Sequence, residues 1–314
     1  MSDIKIATRE AYGKALAELG EKYDFVVLDA DLSEATKTKI FADKFPERFF
    51  DTGIAEGNMI ATAAGIASCG KTVFASSFAM FAAGRAFEQI RNSVCYPNLN
   101  VKIGATHGGI SVGEDGATHQ CLEDLAIMRT IPNMIVINPC DAVEAKAAVE
   151  AAINHYGPVY LRFCRLATPV LFDEATYKFE IGKGIVLKDG NDVTIVANGL
   201  MVNDALKASE MLEKDGISAA VIDMHTIKPI DKDLIVEYAK KTGAIVTAEE
   251  HNIYGGLGSA VAEVVSETVP VPVLRIGVND KFGKSGTPAA LFEEYGLTAV
   301  EIYNKAKESI KIKK

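Results

Sequence analysis

The chain has 314 residues, of which 48% are hydrophobic and 24% are charged, and its formal net charge at pH 7 is -9. This length exceeds the size at which single hydrophobic cores usually stop growing, so we expect a globular protein of two domains. The acidic balance argues against nucleic-acid binding, and no apolar run reaches the roughly 18 residues of a membrane span.

Strand-like runs alternate with helix-like runs, which predicts β-α-β units around a parallel sheet. The predicted strands of the first half are residues 25–28, 72–75, 101–105, 134–138 and 159–163. The predicted helices between them are residues 7–19, 58–67, 79–94 and 142–155. The last of these helices follows Asp141, a residue type that favours helix N-caps.

The pattern loosens between residues 172 and 191, and we place a domain boundary there. The predicted domains are residues 1–178 and residues 188–314. The second contains predicted strands at residues 193–197, 219–223, 244–248 and 271–276, with helices at residues 202–214, 232–241 and 257–266. The sequence therefore predicts an α/β fold of two domains, each a mostly parallel sheet flanked by helices.

The cysteines indicate the redox state of the cellular compartment in which the protein resides. There are five of them, without any Cys-x-x-Cys pair, and most lie in apolar or strand-like surroundings. This pattern predicts buried free thiols in a reducing environment. Because the N-terminus also lacks a secretory signal pattern, we expect a cytoplasmic protein with no membrane segment.

A glycine-broken loop, residues 113–120, follows the predicted strand 101–105 and contains Asp115 and His119. His107 lies just beyond the end of the same strand. Ligands of open parallel sheets bind at the carboxyl ends of the strands, so both histidines are expected at one crevice. A lone histidine is more often structural, but the clustering here favours a functional site.

Glu56 opens a helix of small residues and has two interpretations. A glutamate in the first helical turn commonly only complements the helix dipole. Because its neighbours are small or apolar, Glu56 is alternatively a buried carboxyl group that must be hydrogen-bonded or neutral. Phe78 and Phe81, at the next strand-to-helix turn, are core residues by default, although a flat cofactor ring could stack there.

Two arginines lie at element ends. Arg9 opens the first predicted helix, and Arg165 follows the strand at residues 159–163. A planar guanidinium at a strand end suits a phosphate or carboxylate ligand, whereas most arginines are solvated surface residues. The residues alone leave both interpretations open.

These segments, in this order, resemble the C-terminal half of transketolase as it occurs in split, two-subunit enzymes. The resemblance covers essentially the whole chain. The segments that carry it are residues 7–9, 29–32, 53–56, 78–81, 106–107, 113–120 and 131–134. It implies a pyrimidine-binding domain for thiamine diphosphate, followed by the transketolase C-terminal domain.

The resemblance also implies cofactor-binding residues. Glu56 would hydrogen-bond the N1′ nitrogen of the aminopyrimidine and thereby promote removal of the thiazolium proton. Phe78 and Phe81 would wall the aminopyrimidine. Asp31 would lie near the cofactor at the subunit contact.

Three catalytic residues are implied in the same way, Glu56, His107 and His119, of which His119 would serve proton transfer. The implied substrate-binding residues are Arg9, His107, Asp115, His119 and Arg165. The two arginines and His107 would bind a sugar phosphate, while Asp115 would orient the ketose hydroxyl groups.

Thiamine diphosphate enzymes hold the diphosphate through Mg²⁺, on a Gly-Asp-Gly segment and a later Asn that supply oxygen ligands. This chain has no such segment, so we predict no metal ligands within it. The resemblance therefore implies a partner, the N-terminal diphosphate-binding subunit of transketolase, that holds the Mg²⁺ and much of the cofactor. We expect two copies of this chain to pair within an α2β2 assembly.

Two positions depart from the family pattern. Gly57 follows the key glutamate where split transketolases usually have Gln, and Gly84 stands where full-length transketolases usually have Tyr. Neither change removes a reacting group, but both loosen the packing of the expected pocket.

Other assignments remain open. Deoxyxylulose-phosphate synthase has a similar glycine-broken loop but usually Asp-Arg in place of Thr106 and His107. The beta subunits of 2-oxo acid dehydrogenases share the fold and the glutamate but lack the loop at residues 114–120. A non-catalytic regulatory subunit is the third alternative, although packing alone does not require so many polar groups in one crevice. His251 receives no role from these patterns.

Overall fold

The computed structural model describes residues 4–313 and contains two mostly parallel sheets flanked by helices, which confirms the predicted fold class. The strands of the first half are β1 (Lys5–Ala7), β2 (Phe25–Asp29), β3 (Phe49–Asp51), β4 (Thr72–Phe78), β5 (Val101–Thr106), β6 (Ile135–Ile137), β7 (Val159–Arg162) and β8 (Ala167–Pro169). Its helices are α1 (Thr8–Leu19), α2 (Ser33–Thr36), α3 (Lys39–Lys44), α4 (Glu56–Ser68), α5 (Phe87–Gln89), α6 (Asp124–Arg129) and α7 (Ala142–Asn154). Two 3₁₀ segments lie at Pro46–Arg48 and Ile110–Asp115.

The second half repeats the alternation. Its strands are β9 (Ile185–Lys188), β10 (Val193–Ala197), β11 (Ala219–Asp223), β12 (Thr226–Lys228), β13 (Ile245–Asn252) and β14 (Val273–Val278). Its helices are α8 (Met201–Lys214), α9 (Lys232–Thr242), α10 (Leu257–Glu267), α11 (Pro288–Tyr295) and α12 (Ala299–Ile312). No helix among residues 4–313 is both long and apolar enough to span a bilayer.

The larger sheet has seven strands in the order β12-β6-β7-β5-β4-β2-β3, and the smaller has five in the order β14-β13-β10-β11-β9. Only β12 and β9 run antiparallel to their neighbours. Every residue of β5 and of β10 is buried, because helices cover both faces of each sheet. Strands β1 and β8 form a separate antiparallel pair.

The segment after β4 differs from the predicted helix at residues 79–94. It consists of a π-helical turn at Met80–Arg85, the short α5, and a second π-helical turn at Ile90–Cys95. Over so few turns, apolar spacing does not distinguish an i to i+4 ladder from an i to i+5 ladder. π-helical turns are frequent at functional sites.

Buried polar groups join the two halves. Strand β12 adds to β6 at the edge of the first-half sheet. Close to this edge, Cys140 and Glu144 of the first half lie beside Asp223 of the second, and all three are buried. Burial, and then the charge of Glu144, raises the pKa of Asp223 well above its usual range, which favours a protonated Asp223 at this joint.

Candidate active site

The site begins at the ends of two neighbouring strands. Strands β4 and β5 pair in parallel, so that Phe78 lies opposite Thr106 and His107 follows directly. The rings of Phe78 and His107 stack with centroids 3.7 Å apart. Phe81, one turn further on, lies nearly parallel to Phe78 at 5.9 Å. The structure therefore brings the two predicted ring walls against a predicted catalytic histidine.

His107 is held in one tautomer by two partners. Its Nε2 lies 3.0 Å from Nη1 of Arg9, and because a guanidinium only donates, Nε2 accepts. Nδ1 therefore carries the proton and donates to Oγ1 of Thr106 at 2.9 Å. Burial, followed by the charges of Arg9 and Arg165, lowers the pKa of His107 to about 3. His107 is thus a neutral imidazole at ordinary pH, and Arg9 and Arg165 carry the positive charge.

His119 stands edge-on to the aromatic pair, 5.3 Å from the ring of Phe81. Its loop is fixed by Gln120, whose Nε2 donates to the carbonyl oxygens of Gly113 at 3.0 Å and of Lys284, in the second half, at 2.9 Å. Gly113 adopts a φ of 82°, which favours glycine. The loop thus presents a partly exposed histidine from a rigid support.

The two arginines converge on the same region. Arg9 also donates to the carbonyl oxygen of Ala35 at 2.9 Å, and Arg165 lies 3.8 Å from Asp115. Burial, followed by the charge of Arg165, lowers the pKa of Arg9. Because the charge of Arg165 disfavours that of Arg9, an anion bound beside Arg9 is stabilising.

Glu56 is 1% exposed at the start of α4. Its Oε2 accepts from Nη1 of Arg85 at 2.7 Å, and the Arg85 guanidinium lies 4.8 Å from the centre of the Phe81 ring. Through Arg85, Glu56 is therefore connected to the aromatic walls. Sequence reasoning did not identify Arg85, since nothing in the pattern relates it to a glutamate 29 positions earlier.

Asp31 lies apart from the other predicted site residues. Its side chain is exposed, its backbone has a φ of 61°, and its N–H donates to Oδ1 of Asp51 at 3.1 Å. Among residues 4–313, no hydrogen bond joins Asp31 to the histidines, the arginines or Glu56. Its predicted role at a subunit contact stays a prediction.

The two family departures differ in the space around them. A Cβ on Gly57 would lie 3.4 Å from Oε1 of Gln89, which is within reach of ordinary packing. A Cβ on Gly84 would lie 2.5 Å from Cε of Met80, so any larger residue requires the Met80 side chain to move. Met80 occupies part of the space that a side chain at position 84 would take.

Contacts with the second half support this site, and the sequence did not indicate them. Arg162 is buried between the halves, with Nε donating to Oδ2 of Asp124 at 2.8 Å and Nη2 donating to the carbonyl oxygen of Glu250 at 3.0 Å. The Glu250 carboxylate accepts from the backbone N–H of Ser111, four residues after His107. The loop that follows His107 therefore rests on β13.

The chemistry of these side chains fits the aminopyrimidine end of thiamine diphosphate. Two near-parallel aromatic rings offer apolar walls, and the buried Glu56 offers a carboxylate for a ring nitrogen. The one cluster of possible metal ligands among the described residues, Cys140, Glu144 and Asp223, is fully buried at the joint of the halves. No set of oxygen ligands for a magnesium diphosphate accompanies the crevice within residues 4–313.

Residues 4–170 match the transketolase pyrimidine-binding domain, and residues 182–302 match the transketolase C-terminal domain. The chain belongs to the transketolase family. Membership in this family supports a transferase role and thiamine diphosphate as cofactor.

Several transketolase relatives are split proteins of the same length. The chain is 52% identical to a putative transketolase C-terminal section of Methanocaldococcus jannaschii, covering 99% of this chain and 98% of that protein. It is 45% identical to a 6-deoxy-6-sulfo-D-fructose transketolase subunit of a Clostridium species, covering 96% and 93%. Human transketolase is 40% identical over 93% of this chain, which spans 47% of that protein.

A solved transketolase structure has the same fold. It is described as a split-gene transketolase in an inactive beta4 tetramer, with a TM-score of 0.93 and 57% identity. The match covers 98% of this chain and 100% of that one. These comparisons confirm the resemblance to the C-terminal section of split transketolases.

Proposed function

We propose that this chain is the C-terminal subunit of a split, thiamine diphosphate-dependent transketolase. With a diphosphate-binding partner subunit, it transfers a two-carbon ketol unit from a ketose phosphate to an aldose phosphate. The observation that carries the proposal is the buried Glu56, joined through Arg85 to the aromatic wall that stacks on a neutral histidine, in a chain without the diphosphate-binding segment.

Thiamine diphosphate, when bound, supplies the carbanion that accepts and releases the two-carbon unit. This chain contributes the groups around its pyrimidine ring. Phe78 and Phe81 would line the ring and exclude water. The Glu56 carboxyl group would hydrogen-bond the N1′ nitrogen. The partner subunit binds the diphosphate and the Mg²⁺.

The remaining residues act on the sugar. Arg9 and Arg165 bind its anionic end, and Asp115 orients its hydroxyl groups. His119 moves protons at the reacting carbon. His107, which accepts from Arg9 at Nε2, holds that guanidinium at the anionic end of the sugar. Relatives named for a sulfonated ketose and for apulose 4-phosphate differ in the anion of the sugar, and a pair of guanidinium groups suits either anion.

The assembly is proposed to be α2β2, with two copies of this chain paired and Asp31 at the subunit contact. The tetramer of a similar split-gene chain supports self-association of this fold. Four of the five cysteines are buried and none forms a disulfide among the described residues, which supports the proposed cytoplasmic location.

The test is reconstitution. This chain and the diphosphate-domain subunit of the source organism are purified separately, and ketol transfer is measured for each alone and for the mixture, with thiamine diphosphate and Mg²⁺. Both a phosphorylated and a sulfonated ketose are offered as donors. We expect turnover only in the mixture. Robust turnover by this chain alone, or none by the mixture with either donor, would contradict the proposal.

A further inference from the structure

Arg85 is the protein group that binds the key carboxylate. Its guanidinium is attached at two points, by the 2.7 Å hydrogen bond to Oε2 of Glu56 and by its position 4.8 Å from the centre of the Phe81 ring. The side chain of Arg85 is 52% exposed, whereas that of Glu56 is 1% exposed. The pair therefore joins a buried acid to a cation at the mouth of the crevice.

The backbone gives Arg85 this position. It is the last residue of the π-helical turn Met80–Arg85, which begins two residues after β4. The same turn carries Phe81, so the aromatic wall and the arginine are set by one irregular segment. π-helical turns cost stability relative to a regular helix and are kept mainly at functional sites.

The hydrogen bond occupies one carboxylate oxygen. Among residues 4–313, no protein donor is bonded to the other oxygen of Glu56, Oε1. A carboxylate with one oxygen fixed by a guanidinium and the other unoccupied can receive a ring nitrogen without losing its orientation.

A purely structural role is the simpler explanation. A buried carboxylate without a partner is destabilising, and Arg85 would then serve only to offset the burial of Glu56. In that case removal of Arg85 lowers thermal stability but leaves proton exchange at a bound cofactor unchanged. The two explanations therefore differ in a measurable way.

We propose that Arg85 is a positioning residue for Glu56, which fixes the carboxyl group with one oxygen bound to the guanidinium and the other directed to the cofactor. This inference rests on the proposed function. It adds a residue that acts through Glu56 and does not touch the sugar.

The experiment uses the reconstituted assembly with Arg85→Gln, Arg85→Lys and the matched control Arg91→Gln. Arg91 is exposed in the same helical segment and bonds only its neighbour Asn92 among the described residues. The first measurement is the exchange rate of the cofactor's C2 proton with deuterated solvent, without sugar, followed after acid quench by NMR. The others are kcat, the KM for the ketose and the thermal midpoint.

We expect Arg85→Gln to slow C2 proton exchange and kcat together, by about 10-fold to 100-fold, since misplacement of a reacting group has effects of this order. The KM for the ketose should stay within about twofold, because the sugar contacts are intact. Arg85→Lys should recover part of the rate, and Arg91→Gln should match the parent.

Equal C2 exchange rates in Arg85→Gln and Arg91→Gln, with only the thermal midpoint lowered, would overturn the inference and leave a structural ion pair. If Arg85→Gln fails to assemble, Arg85→Lys decides: it keeps the charge but loses the planar fork, and an exchange rate equal to the parent would again overturn the inference. A parent assembly that shows neither exchange nor turnover would instead contradict the proposed function.

Discussion

The two sheets place polar residues at the same topological position and use them differently. In the first-half sheet, the ends of β4 and β5 carry Phe78 and His107, which are nearly buried but lie beside the partly exposed Phe81 and His119. In the second-half sheet, the ends of β11 and β13 carry Asp223 and Glu250, which are buried. Carboxyl ends of parallel strands are the usual ligand sites of such folds. We call the first set the open strand ends and the second set the covered strand ends.

The covered strand ends hold the structure together instead. Glu249 accepts from the backbone N–H groups of Leu257 at 2.7 Å and Gly258 at 2.9 Å, which fixes the start of α10. Glu250 accepts from Ser111, and Asp223 lies against Glu144. The contacts of Glu250 and Asp223 both reach residues of the first half. The comparison shows that the second half acts as a support for the loops of the crevice.

The largest expected effect concerns the open strand ends. Glu56→Gln should permit folding and assembly but lower ketol transfer by about 100-fold to 10,000-fold, because an amide fills the space without exchanging a proton. Activity of the reconstituted assembly measures this, with the exposed Glu47→Gln as the control. Activity within a few fold of the parent would assign Glu56 to the helix dipole.

The covered strand ends should instead govern stability. Arg162→Met leaves Asp124 buried without its ion-pair partner, which should lower the free energy of unfolding by about 3–5 kcal/mol. The exposed pair of Lys14 and Glu10 is the matched contrast, since Lys14→Met should cost less than about 1 kcal/mol. Denaturant titrations of both variants test this, and equal losses would contradict the distinction between the two regions.

Glu250 should make stability depend on pH. Burial, opposed by the charge of Arg162, raises the pKa of Glu250 to about 7, so folding favours its protonated form. The contribution of Glu250 to the free energy of unfolding is complete below about pH 4.5 and is lost as the pH rises to about 7. This loss is on the order of 3 kcal/mol, at about 1.4 kcal/mol per pH unit. Glu250→Gln should reduce the difference in the free energy of unfolding between pH 5 and pH 8. The exposed Glu267→Gln should keep the parent slope.

The smallest expected effect is selective. Arg165→Ala should weaken kcat/KM for a ketose phosphate by roughly 10-fold to 100-fold, since a charge-assisted hydrogen bond contributes about 1.5–3 kcal/mol. A phosphate-free ketose should be affected little. Both substrates are measured with the same variant, because a folding defect lowers both values. Equal losses would place Arg165 among the supporting residues of the covered region.

Local patterns sufficed for the longer strands and for part of the site. Buried apolar runs predicted the long strands, and Asp141 accepts from the backbone N–H of Glu144 at the start of α7 as its N-cap position predicts. The strand end before His107 and the glycine-broken loop predicted that the two histidines lie at one place, and both rings lie beside Phe78. The residue pattern left Phe78 and Phe81 as core residues by default, and their expected role beside a cofactor came from the family resemblance.

Residues that act through tertiary contacts were not predictable from these patterns. Arg85 reaches Glu56 only because a π-helical turn shifts its direction, and helical periodicity carries no such signal. Arg162 reads as an ordinary strand residue until Asp124 and Glu250 arrive from distant segments. Three-residue strands such as β3 and β12 are too short for an alternation to appear.

The three-residue strand β12 also determines what can be expressed separately. It belongs to the second half but pairs with β6. The edge strand of the first-half sheet therefore lies beyond the predicted domain boundary. A fragment ending at residue 178 would leave Ile135–Ile137 as an unpaired apolar edge, which is a template for aggregation. Separate expression of the first half therefore requires residues 226–228 as well.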